Sequence, residues 1–110
     1  MIHITIFKNK KKEFTGFKTR GHAGYSDEGQ DIVCAAASVL VINTINAIEK
    51  FTEVNASTVS DDTEGVIEYS ISGKVSKEAE LLLKTMVNGL QDMADDENYT
   101  EYIDLTFKEV

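Results

Sequence analysis

Hydrophobic and polar positions alternate along the first residues: Ile2, Ile4 and Ile6 take turns with His3, Thr5 and Phe7, the period of a strand. A polar turn over 9–12 leads to a second strand from Phe14 to Thr19, with Gly16 as the candidate bulge, and the pair reads as a hairpin. Residues 21–30 hold three glycines and no aliphatic side chain larger than Ala, the composition of a loop able to carry function. From Ile32 to Ile48 no residue is charged, and Val33, Ala36, Ala37, Leu40, Thr44 and Ile48 recur at helical spacing. Asp31 is the expected N-cap, with Ser26 or Asp27 as earlier starts. Val39, Val41, Ile42 and Ile45 make the other sides of this helix apolar too. Either a sheet and a second helix cover it on most faces, or part of it forms a subunit interface.

The second half repeats the alternation of strands and helix. Val54–Ser60 alternates weakly, residues 61–65 form a turn, and Val66–Ser72 places Ile67, Tyr69 and Ile71 on one strand face. Gly73 ends that strand and Ser76 caps a second helix, whose stripe is Ala79, Leu82, Leu83, Met86, Leu90 and Met93. Gly89 weakens this helix modestly. An acidic loop over 95–98 precedes a last strand from Tyr99 to Lys108, with Ile103, Leu105 and Phe107 facing one way. The order strand, strand, helix, strand, strand, helix, strand implies an α+β two-layer sandwich: a mainly antiparallel sheet with two helices on one face. With no proline, internal repeat or composition shift, residues 1–110 are expected to form one domain.

Composition narrows the setting. The single cysteine excludes an internal disulfide and an all-cysteine zinc site, and suits a reducing cytoplasm. The N-terminus alternates and then turns basic, the reverse of a secretion signal, and no uninterrupted apolar run approaches the ~18 residues of a membrane span. No membrane partner is therefore expected. Asn55-Ala56-Ser57 and Asn98-Tyr99-Thr100 match the glycosylation triplet and are read as chance. The net charge of −8 is uneven: residues 1–24 hold six basic side chains and one acidic, residues 25–110 five basic and eighteen acidic. The acidic bulk argues against direct nucleic-acid binding and fits a basic partner. Lys8, Lys10, Lys11 and Lys12 read as a solvated hairpin tip, and the acidic clusters over 61–64 and 92–97 as solvated surface or as steering for a cationic substrate.

The candidate chemistry lies between Gly21 and Ser38. A lone cysteine in an apolar helix is usually a small buried hydrophobe. Three features favour a nucleophile. If Asp31 caps the helix, Cys34 is its third residue, where the partial positive charge and unpaired N–H groups stabilise a thiolate. His22 sits twelve residues upstream in a loop able to fold over that helix end, where its imidazole would take the thiol proton and return it to a leaving amine. The loop glycines let backbone approach a peptide closely. Asp31 opposes a thiolate by like charge, and either caps the helix or orients His22 as a third triad member. Ser38, one turn after Cys34, either hydrogen-bonds the His or the substrate, or satisfies a helix carbonyl. Tyr25 is a loop anchor or a substrate contact. His3 has no assigned role, and His3, His22 and Cys34 match no zinc spacing.

Gly21-His22-Ala23 followed by Asp31-Ile32-Val33-Cys34-Ala35-Ala36 and Ser38 resembles the ribosomal-processing cysteine proteases of bacteria, as do the chain's length, acidity and element order. That resemblance implies a His22–Cys34 dyad and a homodimer. It also implies one substrate, the basic precursor of large-subunit ribosomal protein twenty-seven, whose N-terminal extension is removed after a pair of phenylalanines. The glycines of the loop motivate a substrate-binding role for Gly21, Ala23, Gly24 and Tyr25, and no metal or cofactor is expected. The implied reaction is acyl transfer, with backbone N–H groups near the helix start holding the oxyanion. Two other classes make different expectations. A non-catalytic ribosome-associated binding module would touch RNA through Lys8–Lys12 and leave Cys34 inert. A thiol redox sensor would have a reactive Cys34 without cleavage.

Overall fold

The computed structural model describes residues 1–21, 28–61, 63 and 65–110, with the backbone alone for 28–31. Its elements are β1 (Ile2–Lys8), β2 (Phe14–Arg20), α1 (Glu28–Phe51), β3 (Asn55–Asp61), β4 (Val66–Ser72), α2 (Lys77–Asp95) and β5 (Ile103–Glu109). The five strands form one sheet in the order β3-β4-β2-β1-β5. Only the β1–β5 pairing is parallel; the other three neighbouring pairs are antiparallel. This is the expected α+β architecture.

The alternation read from β1 is the core. Ile2, Ile4 and Ile6 are buried, and they share one cluster with Phe17, Tyr69, Ile71 and Ile103 from the sheet and with both helices. Each such isoleucine contributes about 1.5–3 kcal/mol of burial. The sheet's other face stays open, and there His3 pairs with Asp104 at 2.8 Å, both side chains about half exposed. The bulge falls at Thr15 rather than Gly16: Phe7 opposes Gly16 while Lys8 opposes Phe14, so Thr15 is the extra residue.

Ser76 caps α2 as expected, its hydroxyl accepting from the Ala79 N–H at 3.1 Å. The buried stripe includes Val87, missed by the sequence reading, because the face toward the sheet is wider than one heptad row. Gly89 has a packing reason: a Cβ there would stand 3.1 Å from Leu40 Cδ1, so its absence lets α1 and α2 approach. The last strand starts at Ile103, not Tyr99. Asp96 carbonyl oxygen accepts from the Tyr99 and Thr100 N–H groups, and Tyr99 carbonyl from Tyr102 N–H, which winds 96–102 into turns and removes it from the ladder.

Two expectations for α1 change. Over Ile32–Phe51 it is long and apolar enough to cross a membrane by length and composition, with mean hydropathy 1.8. Counting uninterrupted apolar runs misses this because Ser38, Asn43, Thr44 and Asn46 break them. In the fold, α1 buries Val33, Ala37, Val41, Thr44 and Ile48 in the core. The Thr44 hydroxyl is satisfied by the Leu40 carbonyl at 2.6 Å. Of the two alternatives for its apolar faces, cover on most sides is not found among the described residues: Ile32, Val39 and Ile42 are 55, 67 and 48% exposed, because one sheet and one neighbouring helix reach only one side of a cylinder.

Candidate active site

Three strand pairings bring one end of the sheet together. Arg20 is opposite His3 of β1 and Val66 of β4, and Val66 is opposite Asp61 of β3. The row Asp61–Val66–Arg20–His3 therefore crosses four strands at the end where β2 gives way to Gly21. The N-terminal half of α1 lies against this end. Between them is a cleft of about 170 Å³. Cys34, Ala37, Ser38 and Val41 line its helix side, and the strand ends of β1 to β4 line the other.

Cys34 is a free, partly exposed thiol in this cleft, not a fully buried hydrophobe. Ser38 is exposed one turn further along and lines the same cleft, as helical spacing requires. Gly21 also lines it. Its N–H donates to the Gly65 carbonyl at 3.1 Å, and its φ of +135° is one that side-chain-bearing residues rarely adopt. A Cβ at Gly21 would stand 2.6 Å from the Met1 carbonyl oxygen. The sequence around His22 thus begins at a fixed post on the cleft rim. His22, Ala23, Gly24 and Tyr25 lie outside the described residues, as does the Asp31 side chain.

The start of α1 corrects the capping expectation. The helix begins at Glu28, so Asp31 is its fourth residue rather than its N-cap, and Cys34 is the seventh rather than the third. Polar residues before Ile32 extend the helix ahead of its apolar periodicity, which leaves the earlier starts at Ser26 or Asp27, both outside the described residues, in place of Asp31. The unpaired N–H groups belong to the first four residues, 28–31. At Cys34 the helix commits the N–H to the carbonyl four residues back, and the end charge has faded beyond the first turn.

Sequence reasoning missed the strand side of the cleft: Ile2, Arg20, Asp61, Val66 and their neighbours. Only Arg20, adjacent to Gly21-His22, and the turn over 61–65 carried any local signal. The lysine tip lies at the other end of the hairpin. There Lys12 pairs with Glu109 at 3.1 Å and Lys8 sits over the Phe14 and Phe107 rings at 5.2 and 5.0 Å. Among the described residues no three His, Cys, Asp or Glu side chains converge as metal ligands.

A partly exposed thiol on a concave surface, in a cleft that also holds the residue preceding His22, is suited to nucleophilic attack on a bound carbonyl. Comparison with known proteins agrees with this chemistry. The family model described as cysteine protease Prp matches residues 1–104. The ribosomal processing cysteine protease Prp of Staphylococcus aureus is 34% identical over 108 residues, covering 98% of this chain and 100% of that protein. Its Bacillus subtilis counterpart is 26% identical over 100 residues, covering 87% and 89%. The crystal structure of S. aureus Prp in complex with a substrate peptide superposes with a TM-score of 0.89 at 32% identity, covering 98% of this chain and 100% of that one. The S. aureus structure with a covalently linked product peptide gives 0.85 at 34%, with the same coverage.

Proposed function

The chain belongs to the Prp family of cysteine proteases, and we propose that it removes the N-terminal extension of large-subunit ribosomal protein twenty-seven through a Cys34–His22 dyad. The observation that carries this reading is the Cys34 thiol, open to a cleft whose rim holds Gly21, the residue before His22. The ribosomal processing named for the S. aureus and B. subtilis relatives supports a ribosomal substrate. The covalently linked product peptide of the S. aureus protein supports a covalent step.

In this mechanism His22 takes the Cys34 proton as Sγ attacks the scissile carbonyl carbon. The tetrahedral adduct collapses, the C–N bond breaks, and imidazolium returns the proton to the leaving amine. A water, deprotonated by His22, then attacks the thioester carbonyl; the C–S bond breaks and the thiol regains its proton. Ser38 donates from the same cleft to the substrate or to His22. Asp31, inside the helix, orients His22 rather than capping α1. The chain works in the cytoplasm on a basic substrate, without direct nucleic-acid binding. The exposed stripe of Ile32, Ala35, Val39 and Ile42 supports a homodimer formed through α1.

The experiment is mass spectrometry of a peptide carrying the extension and the first mature residues, incubated with the parent protein, with Cys34→Ala and with His22→Ala. Cleavage at one bond by the parent alone is expected. Cleavage that survives Cys34→Ala, or none by any form, overturns the reading.

A further inference from the structure

β3 is an edge strand of an unusual kind. All seven residues, Asn55–Asp61, are exposed, and among the described residues its only ladder partner is β4. Long edge strands offer a row of unpaired N–H and C=O groups, and proteins blunt them with lysine, proline, inward charges or a covering element. The opposite edge, β5, follows that pattern: Asp104, Lys108 and Glu109 punctuate it. β3 has no lysine and no proline, its one charge is the terminal Asp61, and Val59 stands 63% exposed at its centre. Among the described residues no strand pairs with the outer backbone edge of residues 55–60.

The surroundings select the occupant. Residues 51–73, which contain the whole β3–β4 hairpin, carry Glu53, Asp61, Asp62, Glu64 and Glu68 and no basic side chain. A strand added here would be favoured by positive charge. The edge also leads into the active site, since Asp61, its last residue, lines the Cys34 cleft together with Val66 opposite it. Extended chain advances about 3.3 Å per residue, so a few residues connect a strand paired along β3 to a carbonyl at Cys34.

We propose that the free edge of β3 is an exosite that takes a basic segment of the substrate flanking the scissile bond, as an added antiparallel or parallel strand. Main-chain hydrogen bonds supply the pairing and the acidic hairpin selects for positive charge. This rests on the proteolytic reading above. It makes β3 a specificity element for long basic substrates, separate from the cleft that contacts the scissile bond.

The test compares two substrates, the whole precursor protein and a short peptide spanning only the scissile bond. Val59→Lys puts a positive guard on the exposed edge; Val59→Thr is the neutral control. With Val59→Lys, KM for the precursor is expected to rise about tenfold with kcat retained, while the short peptide is cleaved as by the parent. Val59→Thr should match the parent on both. Equal kinetics of Val59→Lys and parent on the precursor overturn the exosite. So does a change in particle mass on light scattering with precursor KM unchanged, which would assign the edge to a second copy of the chain. Equal losses on both substrates also overturn it, since they place the effect in the cleft. Failure of the parent to cleave either substrate defeats the proteolytic reading itself.

Discussion

The Gly21 amide donates to the Gly65 carbonyl at 3.1 Å and joins the end of β2 to the turn between β3 and β4. Two segments more than forty residues apart thereby form one wall of the Cys34 cleft, and the chain leaves that wall toward His22. Gly21 is held by three constraints: this hydrogen bond, a φ of +135°, and the Met1 carbonyl 2.6 Å from where a Cβ would stand. Gly21→Ala is therefore expected to lower stability by about 1–3 kcal/mol. Displacement of the backbone at Gly21 should also reduce kcat/KM by about a hundredfold at a temperature where the variant remains folded. Denaturant melts and steady-state cleavage check both; a stable variant with parental kinetics would remove Gly21 from the positioning of the site.

Ser38 shares the cleft with Cys34 and is exposed, so removing its hydroxyl takes nothing from the core. Ser38→Ala should leave the melting midpoint within about 0.5 kcal/mol of parent. Its kcat should fall about tenfold if the hydroxyl donates in the transition state, with KM little altered. Unchanged kcat would return Ser38 to the role of satisfying a helix carbonyl.

The uncovered side of α1 makes a prediction about assembly. Val39 and Ile42 are 67 and 48% exposed, and neither belongs to the core cluster. The double substitution Val39→Asp, Ile42→Asn should convert a dimer to a folded monomer in sedimentation experiments. Loss of monomer stability should stay under about 1 kcal/mol, since no buried contact is removed. A dimer that persists would place the interface elsewhere.

Tyr69 predicts an alkaline weakness. Burial, and secondarily the carboxylate of Glu49, hold its hydroxyl above the usual 10.0. Below that pH the group is protonated in both folded and unfolded chains and has no effect on the equilibrium. Above it the unfolded chain loses the proton first and binds fewer protons than the folded one, so stability falls as pH rises. Between about pH 9 and about pH 11 the melting midpoint of the parent should drop more steeply than that of Tyr69→Phe. Parallel pH profiles would exclude Tyr69 as the cause.

Much of this protein is legible along the chain because its signals are local. Alternation in Ile2, Ile4 and Ile6 follows from the two-residue period of a strand with one wet face, and all three are buried. Ser76 caps α2 because its own side chain reaches an N–H three residues on. The Gly21-His22 and Cys34 pattern could likewise be picked out, since it needs only residue type and spacing. Where local signals were weak or mixed, the reading slipped: the apolar periodicity of α1 begins only at Ile32 and so points to Asp31 as its cap, and the stretch 99–102 reads as the beginning of the last strand where backbone turns prevail. Only the tertiary structure decided what no segment encodes by itself. Lateral strand order, the parallel β1–β5 contact and the row Asp61–Val66–Arg20–His3 depend on which faces can be buried together, and that balance involves distant residues. The strand wall of the cleft, the open edge of β3 and the bare stripe of α1 follow from it, because exposure belongs to the assembled layers and not to any one periodic stretch.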